Sequence, residues 1–235
     1  MNDIAAAFAL ALALIRAADP DLVEIVALSL RVSLTAVALA CLVGLPLGAA
    51  LAVLRFRGRG ALVLLVNVLM GLPPVVVGLL VYLFLSRSGP LGAFGLLYSP
   101  SAMILAQFVL VTPIVAAIAR QVVADLHAEY DEQFRAWGIG PWRRVGTLLH
   151  EGRHSLLTAA LAGFGRAIAE VGAVIIVGGN IDHATRVMTT AIALETSKGD
   201  LALALALGLL LLGLAFAVNT LAMVLRHAER GRAHA

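Results

Sequence analysis

Residues 32–54, 61–86, 101–119 and 201–225 contain no charged side chain, and residues 155–179 contain only Arg166 and Glu170. Runs of this length leave few options. A helix needs roughly 20 apolar residues to cross a bilayer, and in lipid every backbone N–H and C=O must be satisfied inside the protein. No dyad alternation of the closed-barrel kind is visible, so the runs read as helices. Composition agrees, since 61% of the 235 residues are hydrophobic and 13% charged, where a soluble domain is about half apolar and a quarter charged. The chain is therefore expected to be an all-α integral membrane protein.

The first helix is expected to begin near residue 22. The spans are then placed at about 22–54, 61–86, 101–119, 155–179 and 201–225. A sixth apolar stretch, residues 4–18, is short and stops at Asp19-Pro20-Asp21. It lacks a basic leader, so it reads as an interfacial or partly inserted helix rather than a cleaved signal. Residues 1–21 thus stand apart from the membrane domain at 22–225, and 226–235 form a tail. There are five transmembrane helices, or six if residues 4–18 cross.

Arginine orients the bundle. With five spans, eleven basic residues fall on one side: Arg55, Arg57, Arg59, Arg120, Arg135, Arg143, Arg144, Arg153, Arg226, Arg230 and Arg232. The other side holds five, namely Arg16, Arg31, Arg87, Arg186 and Lys198. The loop at 120–154 and the C-terminus are expected in the cytoplasm, and the loop at 180–200 outside. There is no basic tract for nucleic acid. The lone Cys41 excludes an internal disulfide and a Cys-rich metal site.

Gly44 and Gly48 form a GxxxG, and Gly163, Gly165 and Gly172 crowd the fourth span. Small faces of this kind let helix backbones approach closely. Arg166 and Glu170, four residues apart, are expected to share a helix face. Charges at membrane depth either lock packing or line a polar path. Pro73-Pro74 should kink the second span, as a gate or as static shape. Gly178-Gly179-Asn180 should end the fourth span; its amides either meet a ligand or close the helix. The apolar residues of 187–194 recur at helical spacing, which predicts a surface helix against the bundle.

The one long polar segment is 120–154. Acidic Asp125, Glu129, Asp131 and Glu132 precede Arg135, Arg143 and Arg144, Gly138 and Gly140 interrupt, and Pro141 suits a helix start. Two short helices with a bend at Trp137-Gly138-Ile139-Gly140 are expected. An exposed bend carrying a large aromatic suits docking into a protein groove; tryptophans there equally suit the lipid interface. His150-Glu151-Gly152-Arg153-His154 is a formal HExxH, which on one helix would present two zinc ligands and a base for a metalloprotease. Gly152 weakens the helix, and no third ligand has an obvious claim, so no metal and no catalytic residue is assigned. A secondary anion transporter is the other alternative, but no internal repeat is visible.

The run Glu132-Gln133-Phe134-Arg135-Ala136-Trp137-Gly138, followed by Pro141-Trp142-Arg143-Arg144-Val145, resembles the EAA loop of ABC-importer permeases. Gln133 and Phe134 stand where that family has Ala-Ala, and Leu148-Leu149-His150 stands where it has Leu-Pro. Gly165-Arg166-Ala167-Ile168-Ala169-Glu170-Val171-Gly172-Ala173, with Val177-Gly178-Gly179-Asn180-Ile181, is similar to the molybdate, sulfate and tungstate permease group. Residues 185–196 and Gly71-Leu72-Pro73-Pro74-Val75-Val76-Val77-Gly78 resemble the tungstate subgroup most closely.

The resemblance implies the type I importer permease fold with a cytoplasmic coupling helix, and import of tungstate, with molybdate or sulfate as the alternative. It implies that Glu132, Arg135, Ala136, Trp137, Gly138, Ile139 and Gly140 meet the ATPase. Pro73, Pro74, Arg166, Glu170, Gly178, Gly179 and Asn180 are candidates for the path or its gate. It further implies a homodimer, two copies of a separate ATPase carrying ATP and Mg, an extracytoplasmic binding protein, and a bacterial or archaeal plasma membrane. The chain has no GxxxxGK[ST], so it lacks that means of cradling ATP phosphates.

Overall fold

The computed structural model describes residues 2–233, with side chains over residues 6–224. The cytoplasmic arginines expected at 226, 230 and 232 lie outside the described side chains. In chain order the helices are α1 (Asn2–Ala17), α2 (Pro20–Val53), α3 (Arg59–Met70), α4 (Pro74–Leu85), α5 (Pro100–Ala136), α6 (Pro141–Glu151), α7 (Arg153–Ile168), α8 (Gly172–Gly178), α9 (Met188–Lys198) and α10 (Leu201–Ala233). One 3-10 turn, Gly92–Phe94, precedes α5, and no strand occurs among the described residues.

Local chemistry explains the boundaries. The Asp19 carboxylate accepts the N–H groups of Asp21 and Leu22 at 3.1 and 3.2 Å, and Pro20 occupies the first helical position, so α2 starts where the apolar stretch of α1 ends. Arg59 Nε donates to the Leu51 carbonyl at 2.6 Å, placing a cation on the C-terminal carbonyls of α2. Arg59 is thus more than one of a row of interfacial charges.

Two expected spans are not single helices. The second breaks at Gly71–Pro73, and α3 and α4 are bent by 103°. Pro73 is extended (ψ 125°) and Pro74 opens α4, so two successive residues offer no N–H to continue α3. This is a break, not the expected kink. The fourth span divides into α7 and α8, bent by 60°. Arg166 and Glu170 therefore do not share one helix: α7 ends at Ile168, and Glu170 lies in the connection. The third span continues well past its apolar part to Ala136. Three helices are long and apolar enough to cross a membrane, and five spans result if each bent pair counts as one.

The chain gathers into two compact units. One comprises Met1–Thr35, Pro73–Gln107 and Ile168–Ala217; the other comprises Ala36–Leu72, Phe108–Ala167 and Val218–Ala235. In the first, α4 and α8 approach with almost no side chain between them. A Cβ on Gly78 would lie 2.7 Å from Ala173 Cα, and one on Gly172 would lie 2.9 Å from a Val75 methyl. α9 is the expected helix with one face packed inward: Met188, Thr189, Thr190 and Ala191 are buried, while Ala193, Thr196, Ser197 and Lys198 are exposed. Its first amide, Met188 N–H, donates to Ser29 Oγ on α2 at 2.8 Å.

In the second unit, Gly48 on α2 meets α5 so closely that a Cβ would sit 2.3 Å from the Ala116 carbonyl oxygen. There Leu51, Val66, Ala116 and Ala117 form one small core. Ala49, Val53, Val123, Phe134, Val145 and Leu148 form another, under the polar segment.

Candidate functional site

The second unit holds the bend that the sequence singles out. α5 runs to Ala136, and the chain then closes on itself: Trp137 N–H donates to the Gln133 carbonyl at 3.0 Å and Ile139 N–H to the Phe134 carbonyl at 2.9 Å. Gly138 stands between them at φ +63°, the left-handed conformation that terminates helices. A Cβ there would meet nothing, so backbone conformation and not crowding is what asks for glycine. Gly140 is extended, and Pro141 opens α6. Two helices joined by a bend at 137–140 is the expected arrangement; the first of them is the end of a 37-residue helix and not a short one.

What fixes the bend is a residue placed where the resembling pattern has alanine. Phe134 is 3% exposed and packs in the core with Val53, Val145 and Leu148, with Ile139 against its edge. The Arg144 guanidinium lies 5.6 Å from the Phe134 ring centre. The same guanidinium donates to the Ile139 carbonyl at 2.7 Å and to the Asp131 carboxylate at 3.1 Å. Asp131 also pairs with Arg135. The Arg135 guanidinium holds the Asp131 carboxyl below its ordinary range, with His127 and Arg144 adding to the effect and desolvation opposing it. Arg144 thus ties α6 to both the end of α5 and the turn between them.

The outer surface of this structure is open. Trp137 and Trp142 are 72% and 70% exposed. Glu132, Arg135, Ala136, Gly138 and Gly140 are exposed and Ile139 is half-buried. Exposed aromatics on a bend held from beneath suit a protein docking surface or the lipid interface. Beside the bend, Arg55, Phe56, His127, Asp131, Arg135 and Trp142 line a hollow of about 800 Å³. The HExxH pattern falls across a helix junction. α6 stops at Glu151, Gly152 turns the chain, and α7 starts at Arg153, with His150, Glu151 and His154 exposed.

The first unit holds most of the other candidates. Glu170 is 3% exposed. Its Oε1 accepts the Ala173 N–H at 3.1 Å and its carbonyl accepts the Thr189 hydroxyl at 2.8 Å. The carboxylate therefore starts α8, and the backbone beside it anchors α9. Pro73 and Pro74 begin α4, which packs on α8. At the far end of α8, the Thr185 hydroxyl donates to the Gly178 carbonyl at 2.6 Å and accepts the Ile181 N–H at 2.9 Å. Gly179 N–H donates to the Ile175 carbonyl at 3.0 Å, so that amide closes the helix. Gly179 and Asn180 are both left-handed, at φ 72° and 50°. Arg166 belongs to the other unit.

Sequence reasoning missed four residues here. Ser29, Ser33, Gln107 and Thr189 are all under 9% exposed and line, with Glu170, a cavity of about 10 Å³. That space suits one water and no tetrahedral oxyanion. The signal was Gln107 alone in the apolar run 102–111, and the four-residue spacing of Ser29 and Ser33, which puts both on one face. Nearer the surface, Glu24 Oε2 and His183 Nδ1 lie 2.9 Å apart, with the Asp21 carboxylate in the same group. Glu24 raises the His183 pKa, and Asp182 and Asp21 reinforce it. This ionic clasp holds the 180–187 turn to the start of α2.

Comparison with known proteins locates the chain. Residues 44–230 match the family described as binding-protein-dependent transport system inner membrane component. A probable anion ABC transporter permease protein of Haloferax volcanii is 43% identical over 217 residues, covering 90% of this chain and 93% of the relative. A tungstate uptake system permease protein of Peptoclostridium acidaminophilum is 41% identical over 219 residues, covering 93% and 96%. A permease protein of the same description from Campylobacter jejuni is 39% identical over 165 residues, covering 70% and 69%.

Proposed function

We propose a function from one established premise: the chain belongs to the family of binding-protein-dependent transport system inner membrane components. It is the permease subunit of an ATP-driven importer, and its cargo is tungstate. It carries the ion through the membrane and performs no chemistry on it. Two relatives described as tungstate uptake permeases, at 41% and 39% identity, support the cargo. The type I importer fold accords with up to five spans and a polar segment that ends in a framed bend.

The observation that carries the coupling role is the 137–140 bend. Phe134 and Arg144 hold it from beneath while Trp137 stays open above. A separate cytoplasmic ATPase, which binds ATP and Mg, docks on this bend through Glu132, Arg135, Ala136, Trp137, Gly138, Ile139 and Gly140. Two copies of the chain and two of the ATPase form the assembly. The path lies between the copies, and an extracytoplasmic binding protein delivers the ion to the side bearing residues 180–200. Arginine distribution supports this orientation, with the C-terminus cytoplasmic in a plasma membrane.

Glu170, Pro73, Pro74, Gly178, Gly179, Asn180 and Arg166 act on the path. Glu170 acts through its place at the start of α8, since an exposed carboxylate would repel the cargo. The broken α3–α4 pair is where a wall of the path moves. Uptake by cells carrying this chain with its partner subunits tests the cargo. Labelled tungstate should accumulate and resist a tenfold excess of sulfate. Uptake abolished by sulfate, or molybdate taken up in preference, would reassign the cargo within the same group.

A further inference from the structure

The second unit carries an apolar groove of about 530 Å³ lined by α2 and by the end of α6 and the start of α7. Cys41, Leu42 and Leu45 form one wall, and Leu157 and Ala160 form part of the other. It is an open furrow and not a sealed core. Leu42 is 72% and Leu157 43% exposed along it. In water such a patch would mark a binding surface; in a bilayer it faces acyl chains or another helix.

One feature distinguishes these occupants. Arg153 is the first groove residue along α7, at the end of a row that continues through Leu157 to Ala160. Its Nη1 donates to the His150 carbonyl at 2.9 Å, which orients the guanidinium and leaves further donors available. Among the described residues, no acidic side chain lines the groove. A long apolar furrow with an oriented cation at one end matches an acyl chain with a negatively charged headgroup. Basic sites between membrane helices select lipids of this kind.

We propose that this groove is a binding site for one anionic phospholipid, with an acyl chain along Leu42, Leu45 and Leu157 and its phosphate on Arg153. The volume is within the range of built ligand sites. The long arms of Arg153 let its charge reach the headgroup while its stem stays on the apolar wall.

The test uses the purified, delipidated full chain and native mass spectrometry in an equimolar mixture of phosphatidylglycerol and phosphatidylcholine. Phosphatidylglycerol should be retained at one per chain with about fivefold preference, the selectivity of one arginine at a membrane surface. Arg153→Gln should abolish the preference, Arg153→Lys should keep it, and Ala160→Phe should reduce retention of both lipids by filling the groove. Equal retention of the two lipids by the wild-type chain would overturn the proposal. So would an unchanged preference in Arg153→Gln. A chain that retains neither lipid, and whose single Cys41 cross-links to Cys41 of a second copy through a short bis-maleimide, would assign the groove to the partner copy instead.

Discussion

Phe134 and Asp131 show what single residues contribute. In the resembling permeases an alanine stands at the Phe134 position, and from the sequence this looked like a departure. The structure gives it a purpose: a large ring fills the core beneath the bend and receives Arg144 on its face. No linear pattern reveals that, because Val53 and Val145 reach the ring from distant segments. Asp131 makes the same network sensitive to pH. Its carboxyl is held below the ordinary value near 3.9. Its stabilising effect is therefore complete above that value and is lost as pH falls through the lowered one. The melting temperature of the wild-type chain in detergent should exceed that of Asp131→Asn at pH 7, and the difference should vanish in strong acid. A difference that persists unchanged at pH 2 would remove Asp131 from the frame. Gly138, by contrast, was legible in full. Its spacing and neighbours predicted a bend, and φ +63° supplies the reason.

Helices were legible where apolar length alone decides them. α2, α5 and α10 follow from uncharged runs and the needs of a backbone in lipid. α4 and α8 did not. A hydropathy reading joins 61–86 and 155–179 into single spans, because a break costs nothing in composition. Breaks become visible only through backbone accounting: two prolines without N–H groups at 73 and 74, and a glutamate taking up the Ala173 amide. The same distinction governs the glycines, since a GxxxG says that two positions are small and not which one is tight. A Cβ on Gly48 would come within 2.3 Å of the Ala116 carbonyl oxygen, whereas one on Gly44 would sit 3.1 Å from its nearest neighbours. Gly48→Ala should destabilise by about 1–3 kcal/mol, the usual cost of overpacking, and Gly44→Ala by clearly less. Thermal melts of the two variants in one detergent check this order; equal melting temperatures would show that α2 and α5 do not pack as described.

At the scale of the whole molecule, the chain is a permease subunit, and in the proposed reading its energy enters through a separate ATPase. A permease of this family works with partner subunits, and in the proposed reading the ATPase docks at the 137–140 bend. Phe134, Asp131 and Arg144 brace that bend, as the proposed coupling requires. The most direct test of this claim is purification of the full chain from its native membrane in mild detergent, with mass identification of what accompanies it, for the wild type and Gly138→Asp. Aspartate tolerates the left-handed conformation better than most residues, so the variant should remain folded in the membrane while its new charge disturbs the docking surface. The account predicts that the wild-type chain brings down an ATPase with a phosphate-binding loop, and that Gly138→Asp comes out intact without it. An ATPase retained equally by both chains, or absent from both, would contradict it.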